Sequence, residues 1–211
     1  QTNMGYTATW AGRATAFQGV LAVVFSPIVA RLVGKIDARA LVSFGVFLMA
    51  VVQFWRVGFA SNASFWVIAM PHLIQGAAVP FFFVPLTSLA LGSVTPQETA
   101  SAAGLMNFTR TTSAAFAVSI MTTAWENTAT VRRTDIVGTL NDPNAAIGAL
   151  TAAGQTAGQA TRSLDALVQG QAVMAATDHI FAITALLFLV GSAAIWLAPK
   201  PRPMAAGAGG H

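Results

Sequence analysis

Five runs of mostly apolar residues, each long enough to cross a lipid bilayer as a helix, constrain this chain more than any other feature. A hydrocarbon core about 30 Å thick takes about 20 apolar residues in a helix, because backbone N–H and C=O groups cannot be left unpaired in lipid. The runs extend approximately from Ala11 to Leu32, Ala40 to Phe59, Phe65 to Gly92, Ala100 to Trp125 and Ala176 to Ala198. They predict an all-α polytopic membrane protein with five transmembrane helices. Only 9% of the 211 residues are charged and 55% are hydrophobic. An ordinary soluble domain has roughly 25% charged residues, so too few charges remain here to coat a water-soluble globule.

The surplus of 11 Lys and Arg over 7 Asp and Glu gives +4, a balance that in a soluble protein would suggest nucleic acid. The basic residues form no stripe interleaved with aromatics, however. Most lie beside or between the apolar runs, where membrane topology accounts for them, and no nucleic-acid partner is expected. The absence of Cys removes disulfides, thiolate nucleophiles and Cys-based zinc sites. His72, His179 and His211 are too dispersed to suggest one metal site. With no paired intramembrane carboxylates, no G-x-S-x-G and no phosphate-binding loop, the chain is not expected to be an enzyme or to bind a cofactor.

Arg31, Lys35 and Arg39 follow the first run, and Lys200 and Arg202 follow the fifth. The excess of Lys and Arg in cytoplasmic segments puts both places inside the cell. Five crossings then make 1–10 an external segment, 11–125 the first four transmembrane helices, 126–175 an external, periplasmic loop with surface helices, 176–198 the fifth transmembrane helix, and 199–211 a disordered cytoplasmic tail. Trp10, Trp55, Trp66 and Trp125 fall at external helix ends and Trp196 at an inner one, where an amphipathic indole prefers to sit. Arg132, Arg133 and Arg162 lie in the long external loop, and long loops are largely exempt from the charge rule. Asp142-Pro143 reads as a helix cap, whereas Gly148, Gly154, Gly158 and Gly170 weaken the surface helices. No basic stretch with a short apolar run and cleavage site precedes the first helix, and the opening at Gln1 without Met reads as part of something longer.

Arg110 is the most informative residue, because its position in the fourth run puts a cation near the bilayer midplane. Such residues face a protein interior or a water-filled cavity, and they mark ion or substrate pathways. At 100° per residue, Ala103, Gly104, Asn107, Arg110, Thr111 and Ala114 share a small or polar face, while Leu105, Phe108 and Phe116 look the other way. The alternative is that Arg110 only ties helices together through backbone carbonyls. In the third run, Pro71, Pro80 and Pro85 predict kinks. There Gln75, Val79, Phe82 and Leu86 form one side, offering an amide and an aromatic wall that suits bulky apolar ligands, or else ordinary packing.

Other polar positions are less decisive. Gln18 either lines a cavity or bonds a neighbouring helix, and Gly19, Ser26 and Pro27 permit close contact or a bend. His72 reads as a packing or interfacial residue, Arg13 as a snorkelling one, and Asp178 as an interfacial carboxylate at a helix N-terminus. No carboxylate is securely buried in the five runs, so a proton-coupling group is expected elsewhere.

Several stretches resemble one family. They are Gln1-Thr-Asn-Met-Gly-Tyr-Thr-Ala-Thr-Trp-Ala-Gly12, Ser26-Pro27 with Ile36-Asp37-Ala38-Arg39, Gln75-Gly76 with Pro85-Leu86-Thr87, and Asn107-Phe108-Thr109-Arg110-Thr111. Together they are similar to the EmrB/QacA drug:proton antiporters of the major facilitator superfamily, closest to the EmrB branch. The likeness weakens from Glu126 to Thr177. Arg13 and Gln18 depart from the family's apolar or small residues, and Gly34 to Arg39 is a loose version of the superfamily's Gly/Asp/Arg loop.

The resemblance implies the last five of fourteen transmembrane helices, taken from the carboxyl-terminal bundle. The first, third and fourth would face a central cavity, and the second and fifth would be peripheral. It also implies a bacterial inner-membrane location, lipophilic or cationic drugs as substrates and protons as the coupling ion. A periplasmic adaptor and an outer-membrane channel are the implied partners. Gln18, Gln75, Phe82, Asn107, Arg110 and Thr111 are the expected cavity-lining residues, with Arg110 tuning a carboxylate. Export of a native metabolite such as a fatty acid or siderophore is the alternative, and a non-transporting membrane scaffold is a third reading.

Overall fold

The computed structural model describes residues 8–58, 65–92, 94–95, 97–140 and 142–197. Helices α1 (Ala8–Val33), α2 (Ala38–Trp55), α3 (Phe65–Gly92), α4 (Thr99–Thr139), α5 (Pro143–Ala152) and α6 (Ala157–Ala194) account for nearly all of them, ending in a 3-10 turn at Ile195–Leu197. No strand occurs among the described residues. The expected external segment and cytoplasmic tail fall largely at 1–7 and 198–211, outside the described residues.

α3 sits between α1 and α2; α2 also packs on α6, and α6 on α4. Two glycines set the closest approaches. A Cβ at Gly76 would overlap the Gln18 carbonyl, and one at Gly45 would lie 2.8 Å from the Phe81 Cβ, so bare backbone lets α1 and α2 seat against α3. Pro71 and Pro85 are fully buried in the same helix. Their missing N–H groups are thus accommodated where neighbouring helices enclose them.

Large apolar side chains nevertheless cover the outside: Val23 is 75% exposed and Phe54 70%, and Leu186 and Val190 are likewise open. Water would not tolerate that surface, but lipid does. Among the described residues, four helices are long and apolar enough to cross a membrane, within Thr15–Val33, Ala38–Trp55, Phe65–Leu91 and Ala157–Leu197. The fourth expected span lies within α4. That helix is more than long enough, but Asn107, Arg110 and the run of Thr and Ser from Thr109 to Ser113 lower its apolar content. The chain is therefore a multi-pass α-helical membrane protein in which one helix is conspicuously polar.

The segment read as a loop with weak surface helices is built differently. α4 and α6 run through most of it as single helices of 41 and 38 residues, about 60 Å each at 1.5 Å per residue and far longer than the bilayer core. No proline interrupts α4. Buried Ala160, Val168, Ala172 and Ala176 recur at four-residue multiples along α6, forming a ridge of small or compact side chains on which α4 packs closely through Ala129. Tertiary packing offsets the low propensity of Gly158 and Gly170, which both lie inside α6. The α4–α6 hairpin is pinned where the Trp125 Nε1–H donates to Thr177 Oγ1 at 3.0 Å and where Arg133 bonds Asp165 at 2.6 Å.

At the hairpin tip the expected cap is present: the Asp142 side chain accepts the Ala145 N–H at 3.0 Å, and Pro143 opens α5. A reciprocal Thr156–Gln159 capping box starts α6. Asp178 is accordingly well inside α6, and the helix-end role expected for it does not hold.

Candidate functional site

The polar face of α4 meets α3 at Arg110. Its Nη2 donates to the Asn107 Oδ1 at 3.0 Å, one helical turn away, and the guanidinium lies 5.7 Å from the centre of the Phe83 ring. Phe82 and Phe83 meet edge to face at 5.0 Å. Among the described residues no carboxylate pairs with Arg110. It is held instead by an amide oxygen and an aromatic face, both weak partners for a cation. The Thr111 hydroxyl is taken up by the Asn107 and Phe108 carbonyls at 2.9 and 3.0 Å, a local bond that lets a polar residue sit on an apolar helix. On the flank of α4 turned away from Arg110, Phe116 lines a separate groove of about 490 Å³ together with Thr111, Thr112, Ala115 and Ser119. Asn107, Arg110 and Thr111 are joined by these bonds, and Phe82 adjoins them through Phe83.

Gln75 does not reach that region. Its Oε1 accepts from Arg56 Nη2 at 2.6 Å, while Arg56 Nη1 donates to Gln53 Oε1 at 2.9 Å. The Arg56 guanidinium also stacks 5.8 Å from the Phe181 ring, on α6. Only 9% of Arg56 is exposed. A guanidinium does not give up its proton in proteins, so Arg56 stays charged. Sequence reasoning missed Arg56, because a basic residue directly after Trp55 at a helix end has the pattern of a snorkelling interfacial pair. The one available signal was Gln53, three residues earlier, an amide on the same helix flank.

Gln18 is placed at the α1–α3 crossing, where its main chain abuts Gly76, so its position is explained by helix contact. His72 spends its Nδ1–H on the Ile68 carbonyl at 2.9 Å in its own helix, as a packing residue does.

At the opposite end of the bundle Arg39 has the partner that Arg110 and Arg56 do not. It bonds Asp37 at 3.0 Å, and the Asp37 side chain also caps α2 by accepting the Arg39 N–H. The guanidinium lies 5.7 Å from the Trp196 ring. Trp196 in turn donates to Ser43 at 3.2 Å, and Ser43 and Ser192 exchange hydrogen bonds between α2 and α6. This cluster fastens two helices and satisfies its charges internally.

A polar, cation-bearing face on a membrane helix matches a transporter interior, and similarity to known proteins bears on it directly. The chain is 38% identical over 211 residues to the multidrug export protein EmrB of Escherichia coli, covering 98% of this chain. The chain is EmrB-like. It is also 33% identical over 201 residues to EmrB of Haemophilus influenzae, covering 93% of this chain, and 33% identical over 215 residues to the fatty acid resistance protein FarB of Neisseria gonorrhoeae, covering all of it. The chain spans 41%, 39% and 42% of those three relatives respectively, about two fifths of each. No protein-family model and no solved structure matches it.

Proposed function

We propose that this chain forms the carboxyl-terminal part of an alternating-access exporter in the bacterial inner membrane, which carries lipophilic or cationic drugs outward as protons enter. Arg110 carries this reading. It is a midplane cation without a carboxylate partner among the described residues, on the polar face of an otherwise lipid-suited bundle. Carriers of this kind place their sites near the midplane between rocking bundles. There Arg110 lowers the pKa of a carboxylate brought within about 4 to 6 Å, and Phe82 and Phe83 supply an apolar wall. No cofactor enters this scheme beyond the coupling proton, and the work is transport rather than catalysis.

The basic turn after α1 puts that end in the cytoplasm, so the α4–α6 hairpin projects outside. It offers the natural contact for a periplasmic adaptor and, through it, an outer-membrane channel. A scaffold reading leaves the polar α4 face without a purpose. A second substrate reading, export of a fatty acid, is favoured by the FarB similarity and by Arg110, which would contact a carboxylate directly.

The test is to express the full-length protein in an efflux-deficient bacterium and to measure accumulation of a lipophilic dye with and without a protonophore. Reduced accumulation that the protonophore abolishes is expected. Unchanged accumulation of every dye, together with export of a long-chain fatty acid, would replace the drug reading with the second one.

A further inference from the structure

The hairpin end of the bundle contains a second cavity, about 610 Å³, between the α2–α3 turn and helices α4 and α6. Val57, Arg132, Asp135, Ala175, Asp178 and His179 are among its lining residues. Asp178 stands out chemically. Beside it in the α2–α3 turn is Gly58, at a φ of +87° that glycine adopts without steric cost. The Asp178 Oδ1 is buried with no hydrogen-bond donor. Since α6 begins at Ala157, Asp178 lies too far along the helix to gain from its N-terminal dipole, which acts only within the first turn.

The charged groups around it are engaged elsewhere. On α4, Arg132 faces Asp135 at 3.8 Å. From the α2–α3 turn, Arg56 directs its guanidinium to Gln53, Gln75 and Phe181. On α3, His72 is bonded to Ile68; on α6, His179 is the adjacent residue, and α5 carries no titratable side chain. A buried carboxylate oxygen with no donor is costly while ionised. Protonation removes the charge and turns that oxygen into a donor able to bond a carbonyl of the preceding helical turn.

We infer that Asp178 is a proton-accepting residue on the external side of the transporter, and that the response of transport to external pH runs through it. The step is a simple transfer: hydronium in the external cavity gives its proton to the carboxylate, leaving a neutral carboxyl and a water molecule, and the reverse step restores the anion. This inference rests on the exporter reading for its orientation and for its transport readout.

The experiment compares the full-length wild-type protein with Asp178→Asn, which keeps the shape of the neutral acid, in proteoliposomes loaded with a transported dye. Proton-driven dye efflux is followed over a range of external pH, and dye exchange without a pH gradient serves as the check on folding. The wild type is expected to depend on external pH, and Asp178→Asn to lose that dependence, with proton-driven efflux reduced on the order of tenfold and exchange retained. An unaltered pH profile in Asp178→Asn overturns the inference. Infrared titration of the purified proteins gives a readout independent of transport: a protonated-carboxyl band that grows on mild acidification of wild type is expected to vanish in Asp178→Asn. Its persistence overturns the inference. Its loss in a protein that shows no proton-driven transport would instead overturn the exporter reading while leaving Asp178 a proton site.

Discussion

From Trp125 onward α4 is held by α6, through the Trp125–Thr177 hydrogen bond, buried Ala129 and the Arg133–Asp165 ion pair. From Leu105 to Ile120, in the same unbroken helix, nearly every residue is exposed, and Phe108, Phe116 and Ile120 stand as open as Thr111 and Thr112. The cations divide in the same way. Arg132 and Arg133 face Asp135 and Asp165, whereas Arg110 has an amide and a phenyl ring. A cation matched by a carboxylate within the chain is accounted for by structure. One held by weak partners in an apolar bundle keeps its charge available for a substrate or for a titrating group on another element.

The largest effect should come from the unmatched cation. Arg110→Ala is expected to reduce dye export by the full-length protein on the order of tenfold or more while leaving its membrane abundance unchanged. Normal transport by this variant would remove Arg110 from the site. In the packed half, Trp125→Phe removes one hydrogen bond and keeps the ring, so it should cost about 0.5 to 1.5 kcal/mol of stability. This is read as a lower unfolding temperature in detergent with transport retained. The smallest effect is expected for Arg133→Ala. Both side chains of that pair are about half exposed, so its loss should cost about 1 kcal/mol or less and should shrink further in high salt. A large, salt-insensitive loss would mean that the hairpin depends on this pair far more than its exposure suggests.

Much of this division was legible in the sequence, since the apolar runs located the helices and helical periodicity put Asn107, Arg110 and Thr111 on one face. Asp142-Pro143 announced the start of α5 through cap chemistry. What local signals could not supply was tertiary packing. Four glycines made the segment after Trp125 look weakly helical, but the ridge through Ala160, Val168, Ala172 and Ala176 joins residues to a partner helix far away in sequence. The same limit hid Arg56 and misplaced Gln75, whose bond crosses from the α2–α3 turn into α3. The apolar pattern begins beside Asp178 and gives it the look of a helix end, although the helix itself begins at Ala157.

The most direct test of a lined transport face on α4 is labelling of single cysteines by a membrane-impermeant maleimide. The 211 residues contain no cysteine, so each introduced thiol reports one position of this chain. In the full-length protein, with any other cysteines replaced, Ala103→Cys, Asn107→Cys, Thr111→Cys and Ala114→Cys should label and be protected by transported dye, while Leu105→Cys, Phe108→Cys and Phe116→Cys should not label. Equal labelling around the helix, or labelling confined to the Leu105, Phe108 and Phe116 positions, would contradict a transport site on the Arg110 face.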